Sequence, residues 1–182
     1  MFSNLLDNSI KLILIKYNKN EIKAILQNSR IPYVEETMGR VLLLPVQQTS
    51  TQNLLLFEES NDFKTSLFNA LDKSLLITPV LAKGDLDEIT TYNPQNIINN
   101  TDYSKINQLS AKYEATKAIT VLLQSNNVDN QDLYQVDLNF INFENLKQET
   151  FVVVGKDINA ASKQVANKIN QLWIKNNLLE FN

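Results

Sequence analysis

Three carboxylates fall within four residues at Asp85, Asp87 and Glu88, in the string Lys83-Gly84-Asp85-Leu86-Asp87-Glu88. Hard oxygen donors at that density suit Mg²⁺ or Ca²⁺, and a metal held there would activate water, so one expectation is a divalent-metal-dependent hydrolase using Asp85, Asp87 and Glu88. The same string also makes a good helix start. Asp85 or Asp87 can accept a backbone N–H in the turn that follows, which would make the cluster an acidic surface bend without a ligand. A second polar group, Gln47, Gln48, Thr49 and Ser50, offers amides and hydroxyls able to hydrogen-bond a peptide or glycan, or to form a solvated loop.

Little else in the chain can do chemistry. The 182 residues contain no His and no Cys, which removes a Ser/His/Asp relay, an imidazole base, a His-ligated zinc and a thiolate nucleophile. Gly39, Gly84 and Gly155 are the only glycines and lie far apart, so neither a P-loop nor a dinucleotide fingerprint can assemble. No resident cofactor is expected, the Mg²⁺ or Ca²⁺ alternative apart. With 17 basic and 20 acidic residues, net charge −3, and arginine only at positions 30 and 40, a nucleic-acid partner is not expected. No run approaches the ~18 apolar residues of a membrane span, and Met1 to Ser9 shows neither a basic nor an apolar signal region.

The elements that must position these residues follow from periodicity. Ile10 to Tyr17 is dense in β-branched and long apolar residues and predicts a strand. Asn18 or Asn20 can cap a helix carrying Ile22, Ile25 and Leu26 on one face and ending at Ile31-Pro32. Val41 to Val46 is almost uninterruptedly apolar, as in a strand covered on both faces, with pairing expected to weaken at Pro45. Leu54 to Phe57 suggests a short edge strand. Ser60 is read as the cap of a helix bearing Phe63, Leu67, Ala70 and Leu71, and Leu75 to Val80 repeats the texture of the earlier strand. Strand, helix and strand so spaced predict a parallel pair. Leu81 to Asn100 reads as irregular, and Thr101 or Asp102 opens a helix with Ile106, Leu109 and Tyr113 inward. Ala118 to Gln124, Leu133 to Phe143 and Thr150 to Val154 then predict an antiparallel meander, with Ser125 to Asp132 as a polar turn. If Leu133 to Phe143 or its neighbour lies at a sheet edge, it could take a strand from another chain. Asp157 caps a closing helix whose stripe is Ile158, Val165, Ile169, Leu172 and Trp173.

The order of short motifs resembles a known family. The strand ending at Tyr17, Asn20-Glu21-Ile22 through Ile31-Pro32, Gly39-Arg40-Val41-Leu42, Pro79, Gly84-Asp85-Leu86-Asp87-Glu88 and Leu109-Ser110-Ala111-Lys112-Tyr113-Glu114-Ala115 together resemble the proteobacterial domain-of-unknown-function family numbered two thousand sixty-six. The resemblance spans roughly Ile10 to Trp173. It implies an uncharacterised protein of the cell envelope, since members typically begin with an export signal: periplasm or envelope where such a signal has been removed, cytoplasm otherwise. The element order is also similar to small α/β domains of envelope assembly proteins, such as the amino-terminal domain of the Tol-system propeller protein, a likeness of fold and not of function.

These readings give one expectation for the whole. Residues 1–182 form a single α/β domain with a mixed sheet, strand-helix crossovers first and an antiparallel meander and closing helix last. Loops after the two proline-bearing strands converge over a crevice, bringing Gln47, Gln48 and Thr49 towards Asp85, Asp87 and Glu88. The leading function is a non-catalytic protein-interaction domain with a protein partner; the alternatives are the metal-dependent hydrolase and a small-ligand sensor.

Overall fold

The computed structural model describes residues 18–29, 33–99, 103–128 and 131–179. The strand expected over Ile10 to Tyr17 and the break expected at Ile31-Pro32 lie outside them. The chain falls into two compact units, divided between Tyr33 and Val34 and again between Leu178 and Leu179. Short strands β1 (Tyr33–Val34) and β8 (Leu178–Leu179) lie at these two crossings. The first unit contributes α1 (Lys19–Asn28), capped by Asn18, whose side chain accepts the Asn20 N–H at 3.1 Å. Ile22 and Ile25, which share one face of this helix, are exposed.

The second unit is an α/β body built on one mixed sheet. Its elements are β2 (Gly39–Gln48), β3 (Leu54–Leu55), α2 (Asp62–Asp72), β4 (Ile77–Leu81), α3 (Leu86–Thr91), α4 (Pro94–Ile98), α5 (Tyr103–Lys112), β5 (Lys117–Val128), β6 (Gln131–Ile141), β7 (Gln148–Val154) and α6 (Ile158–Asn177). The sheet runs β3-β2-β5-β6-β7, with β4 also paired to β2. β2 is parallel to β4, Val41 opposite Pro79, and parallel to β5, Val41 opposite Lys117. β5, β6 and β7 form the expected antiparallel meander.

β2 reads as an unbroken apolar run because both of its faces are covered. Val41 and Leu43 enter one core with Phe63, Leu67 and Leu71 of α2 and Val165, Ile169 and Trp173 of α6, whereas Leu42, Leu44 and Val46 enter a second core with Ile106 and Leu109 of α5. The ladder does not weaken at Pro45; it continues to Gln48 opposite Gln124. On the other side of β2, β4 pairs as far as Leu43 and β3 begins at Gln47, so Pro45 falls in a gap where, among the described residues, no strand asks for its missing N–H. Its carbonyl there accepts the Asn61 side-chain amide at 2.9 Å.

That contact also moves the start of α2. Asn61, fully buried, and not Ser60, caps the helix by accepting the Lys64 N–H at 3.0 Å, while its amide also reaches Leu55 O at 2.9 Å and Leu56 O at 3.3 Å. Ser125 to Val128 is likewise strand and not turn, because it pairs with residues 131–134 of β6. Within the stretch expected to be irregular, Asp85 caps α3 and Asn93 caps α4.

Candidate functional site

The acidic string folds as a helix start. Gly84 adopts φ +70°, the left-handed region, and a Cβ at that position would stand 2.8 Å from Phe57 Cβ, so glycine is required for the approach. The turn this allows places Asp85 as the N-cap of α3, its Oδ1 accepting the Glu88 N–H at 2.9 Å. Glu88, only 1% exposed, is thereby aimed inward at the end of α5. Its Oε2 accepts the Gly84 N–H at 2.7 Å, and its Oε1 accepts Lys112 Nζ at 2.6 Å and the Tyr113 hydroxyl at 2.7 Å. Lys112 Nζ donates equally to Asp85 Oδ2 at 2.6 Å, and Tyr113 Oη accepts the Lys83 N–H at 2.6 Å.

The charges in this knot hold one another in their ionised forms. The Lys112 hydrogen bond keeps the Asp85 carboxyl below its usual range. Burial pushes Glu88 up, but hydrogen bonds from Lys112, Tyr113 and Gly84 outweigh it and leave the carboxyl lowered. Lys112 is raised well above its usual value by its bonds to Asp85 and Glu88, and Tyr113 is raised chiefly by burial.

This arrangement does not fit a divalent cation. The position between Asp85 and Glu88 is filled by the Lys112 ammonium, and the Asp87 side chain is exposed and outside the knot. Among the described residues, no group of three or more His, Cys, Asp or Glu is placed to hold a metal ion. Lys112, half exposed, is bonded to both carboxylates and the Tyr113 hydroxyl to Glu88, so each titratable group of the knot already holds a partner.

The second polar group lies elsewhere. Gln47, Gln48, Thr49 and Ser50 line a hollow of about 320 Å³ with Leu123, Ser125, Tyr134 and Ile158, beside the starts of α2 and α6. None of Asp85, Asp87 or Glu88 lines it. β4 ends opposite Leu43, five residues before β2 does, so the loops that follow the two parallel strands leave the sheet at different levels. The amides in the hollow are also engaged: Gln47 Oε1 accepts the Phe63 N–H at 3.2 Å, and Gln48 Oε1 accepts Gln124 Nε2 at 2.7 Å.

A third feature is the far margin of the sheet. β6, the strand with the clearest alternation, is interior; β7 is the edge, paired among the described residues only with β6. Val152 and Val154 on β7 are 62% and 55% exposed, beside half-exposed Gln135 and Leu133 of β6. On the opposite face Val153 packs under α6, and Lys168 Nζ lies 5.7 Å from the centre of the Phe151 ring. Periodicity identified β7 as a strand, but its place at the edge depends on sheet order, which no local pattern carries. Lys112 and Tyr113 were missed as partners of the acidic string for a similar reason, since some two dozen residues separate them in sequence.

No family model matches the chain, and no curated protein matches it. Among solved structures it is similar to the PelC dodecamer from Paraburkholderia phytofirmans, with 10% identity, 75% of this chain and 90% of that one covered, and a TM-score of 0.44. TolB from Acinetobacter baumannii shares 11% identity over 79% of this chain and 31% of its own, with a TM-score of 0.42. A lipoprotein from Neisseria meningitidis shares 9% identity over 75% of this chain and 96% of its own, with a TM-score of 0.38. These likenesses are too loose to carry function.

Proposed function

We propose that the protein is a non-catalytic protein-interaction domain that receives an extended segment of a partner at the β7 edge, and that it serves as an adaptor of the bacterial cell envelope. The observation that carries the interaction reading is that β7, among the described residues, is paired only on its β6 side, with Val152 and Val154 exposed on the adjoining sheet face. Soluble proteins usually blunt such an edge with proline, lysine or a covering element; Gln148–Val154 contains no proline, and Glu149 is its one charged residue. Backbone groups that bind water in the free chain can be exchanged for a partner strand, with side-chain contacts setting its identity. The envelope assignment rests on the ordered motifs that the sequence shares with the family it resembles.

The competing readings find less support. The hydrolase needs a free acidic cluster, and Lys112 occupies it. The ligand sensor needs unspent polar groups in the hollow at Gln47 to Ser50, where Gln47 and Gln48 already brace α2 and β5.

The test is a peptide-display selection against the wild-type chain, followed by titration of selected peptides into wild type and Thr150→Pro. Peptides that bind wild type and lose affinity at least tenfold on Thr150→Pro are the expected outcome. A selection that yields no peptide sensitive to β7 would overturn the reading.

A further inference from the structure

We infer that the edge is built to receive the β7 strand of a second copy of this chain, antiparallel, about a two-fold axis at Thr150. This inference rests on the reading of β7 as an interaction edge and adds the partner and its register.

The Phe140 N–H donates to Lys147 O at 2.7 Å, and these two residues stand opposite each other one step beyond the Asn139 and Gln148 pair. In an antiparallel ladder, hydrogen-bonded and non-bonded pairs alternate. Lys147, Glu149, Phe151 and Val153 therefore turn their N–H and C=O groups towards β6, and Gln148, Thr150, Val152 and Val154 turn theirs outward. The side-chain amide of Gln164 independently supports this parity, because it donates to the Val154 carbonyl from outside the ladder. With the Val154 carbonyl so engaged, the outward residues with neither backbone group engaged among the described residues are Gln148, Thr150 and Val152.

Among symmetric registers, the one centred on Thr150 pairs these three residues with one another. Centring the two-fold on Thr150 pairs Thr150 with its own copy and Gln148 with Val152, and about six backbone hydrogen bonds form between the outward groups. Centring it on Phe151 or Val152 brings in the Val154 carbonyl, which Gln164 already holds.

Charge complementarity favours the same register. With Thr150 on the axis, Glu149 of one copy stands directly opposite Phe151 of the other, on the face covered by α6. Lys168 lies over that Phe151 ring. Directly opposed side chains in such a ladder approach within ~5 Å at Cβ, so each Glu149 meets the other copy's Lys168, twice by symmetry. Across the axis, the edge strand's one acidic residue thus faces the cation above the strand. Val152 then sits beside the aliphatic part of Gln148 from the other copy.

A seven-residue strand with one turn of helix beside it falls well short of the ~1,600 Å² of a standard interface. The expected association is accordingly weak, with Kd on the order of 10–100 µM.

The experiment is sedimentation of the full chain from about 1 µM to about 1 mM, at low and high salt, with Glu149→Lys, Lys168→Glu, the double reversal and Thr150→Pro. The proposal expects a monomer–dimer equilibrium weakened about tenfold by either single reversal, restored to within about threefold by the double reversal, and lost with Thr150→Pro. Proline is tolerated where an edge N–H faces outward, and the charge reversals test the same contact should that variant misfold. A chain monomeric to 1 mM, or a dimer indifferent to all four variants, overturns the second copy as partner. If the monomer still captures β7-dependent peptides, the edge reading stands without the dimer; if it captures none, both fall.

Discussion

Removing the Glu88 carboxylate is expected to be among the most damaging single changes in the α/β body. Glu88→Ala deletes the acceptor of three hydrogen bonds, from Gly84 N–H, Lys112 Nζ and the Tyr113 hydroxyl, at 2.7, 2.6 and 2.7 Å. Hydrogen bonds to a charged partner contribute about 1.5–3 kcal/mol each, and an orphaned buried donor costs about 1–3 kcal/mol. Tyr113 keeps its bond from Lys83 and Lys112 keeps Asp85, so the full sum does not apply. The loss worked from the remaining terms is about 3–5 kcal/mol, against a typical total of about 5–15 kcal/mol. Glu88→Gln is not a rescue. Its amide nitrogen must face either the Gly84 N–H or the Lys112 and Tyr113 donors, so one donor–donor conflict is unavoidable. Urea unfolding followed by the fluorescence of Trp173, the only tryptophan, measures both variants. A loss below about 1 kcal/mol for Glu88→Ala would refute the claim that this knot anchors α3 to α5.

The same knot sets the pH limits of stability. Asp85 and Glu88 are lowered in the folded state, so their contribution is full above the ordinary values of 3.8 and 4.5 and is lost as pH falls through the folded ones; Lys112 and Tyr113 are raised, so theirs is lost as pH rises above 10.5 and 10.0. A stability profile from pH 3 to about 11 should fall at both ends and lose part of its acid limb in Glu88→Gln; an unchanged limb would contradict the assignment. Asn61→Ala should cost about 2–4 kcal/mol, because it removes both the cap of α2 and the amide that seals the gap beside Pro45; chemical denaturation checks this. Trp173→Phe should cost about 1–2 kcal/mol by losing the 3.0 Å bond from Nε1 to Glu36 O, measured by thermal unfolding. Calorimetric titration of Mg²⁺ or Ca²⁺ into the wild type should show no saturable site; binding abolished by Asp85→Asn would restore the hydrolase reading.

How much of this was legible in the sequence depended on how local its cause was. The parallel pairing of β2 with β4 followed from two apolar runs spaced by a helix, and the meander followed from alternation and turns. The effect of Pro45 did not, because the gap between β3 and β4 that accommodates it belongs to the sheet and not to the strand. The cap of α2 was misplaced by one residue for a related reason: Asn61 is chosen by three carbonyls of β2 and of the residues at and just after β3, whereas Ser60 satisfies only the local rule. Ser125 to Val128 looked like a turn by composition and is held extended by its partner strand. At the acidic string, the capping role of Asp85 was readable from residue type and spacing. The inward turn of Glu88 was not, since an apolar α5 face gave no sign that Lys112 and Tyr113 would close over it.

The central claim, that β7 presents Gln148, Thr150 and Val152 for pairing with another strand, is tested most directly by residue-resolved amide hydrogen exchange on dilute and concentrated chain. The amides of Glu149, Phe151 and Val153 should be protected at both concentrations. Those of Gln148, Thr150 and Val152 should exchange quickly when dilute and slow at least severalfold when concentrated or when a selected peptide is added. Outward amides already protected in the dilute chain, or unchanged under every condition, would contradict it.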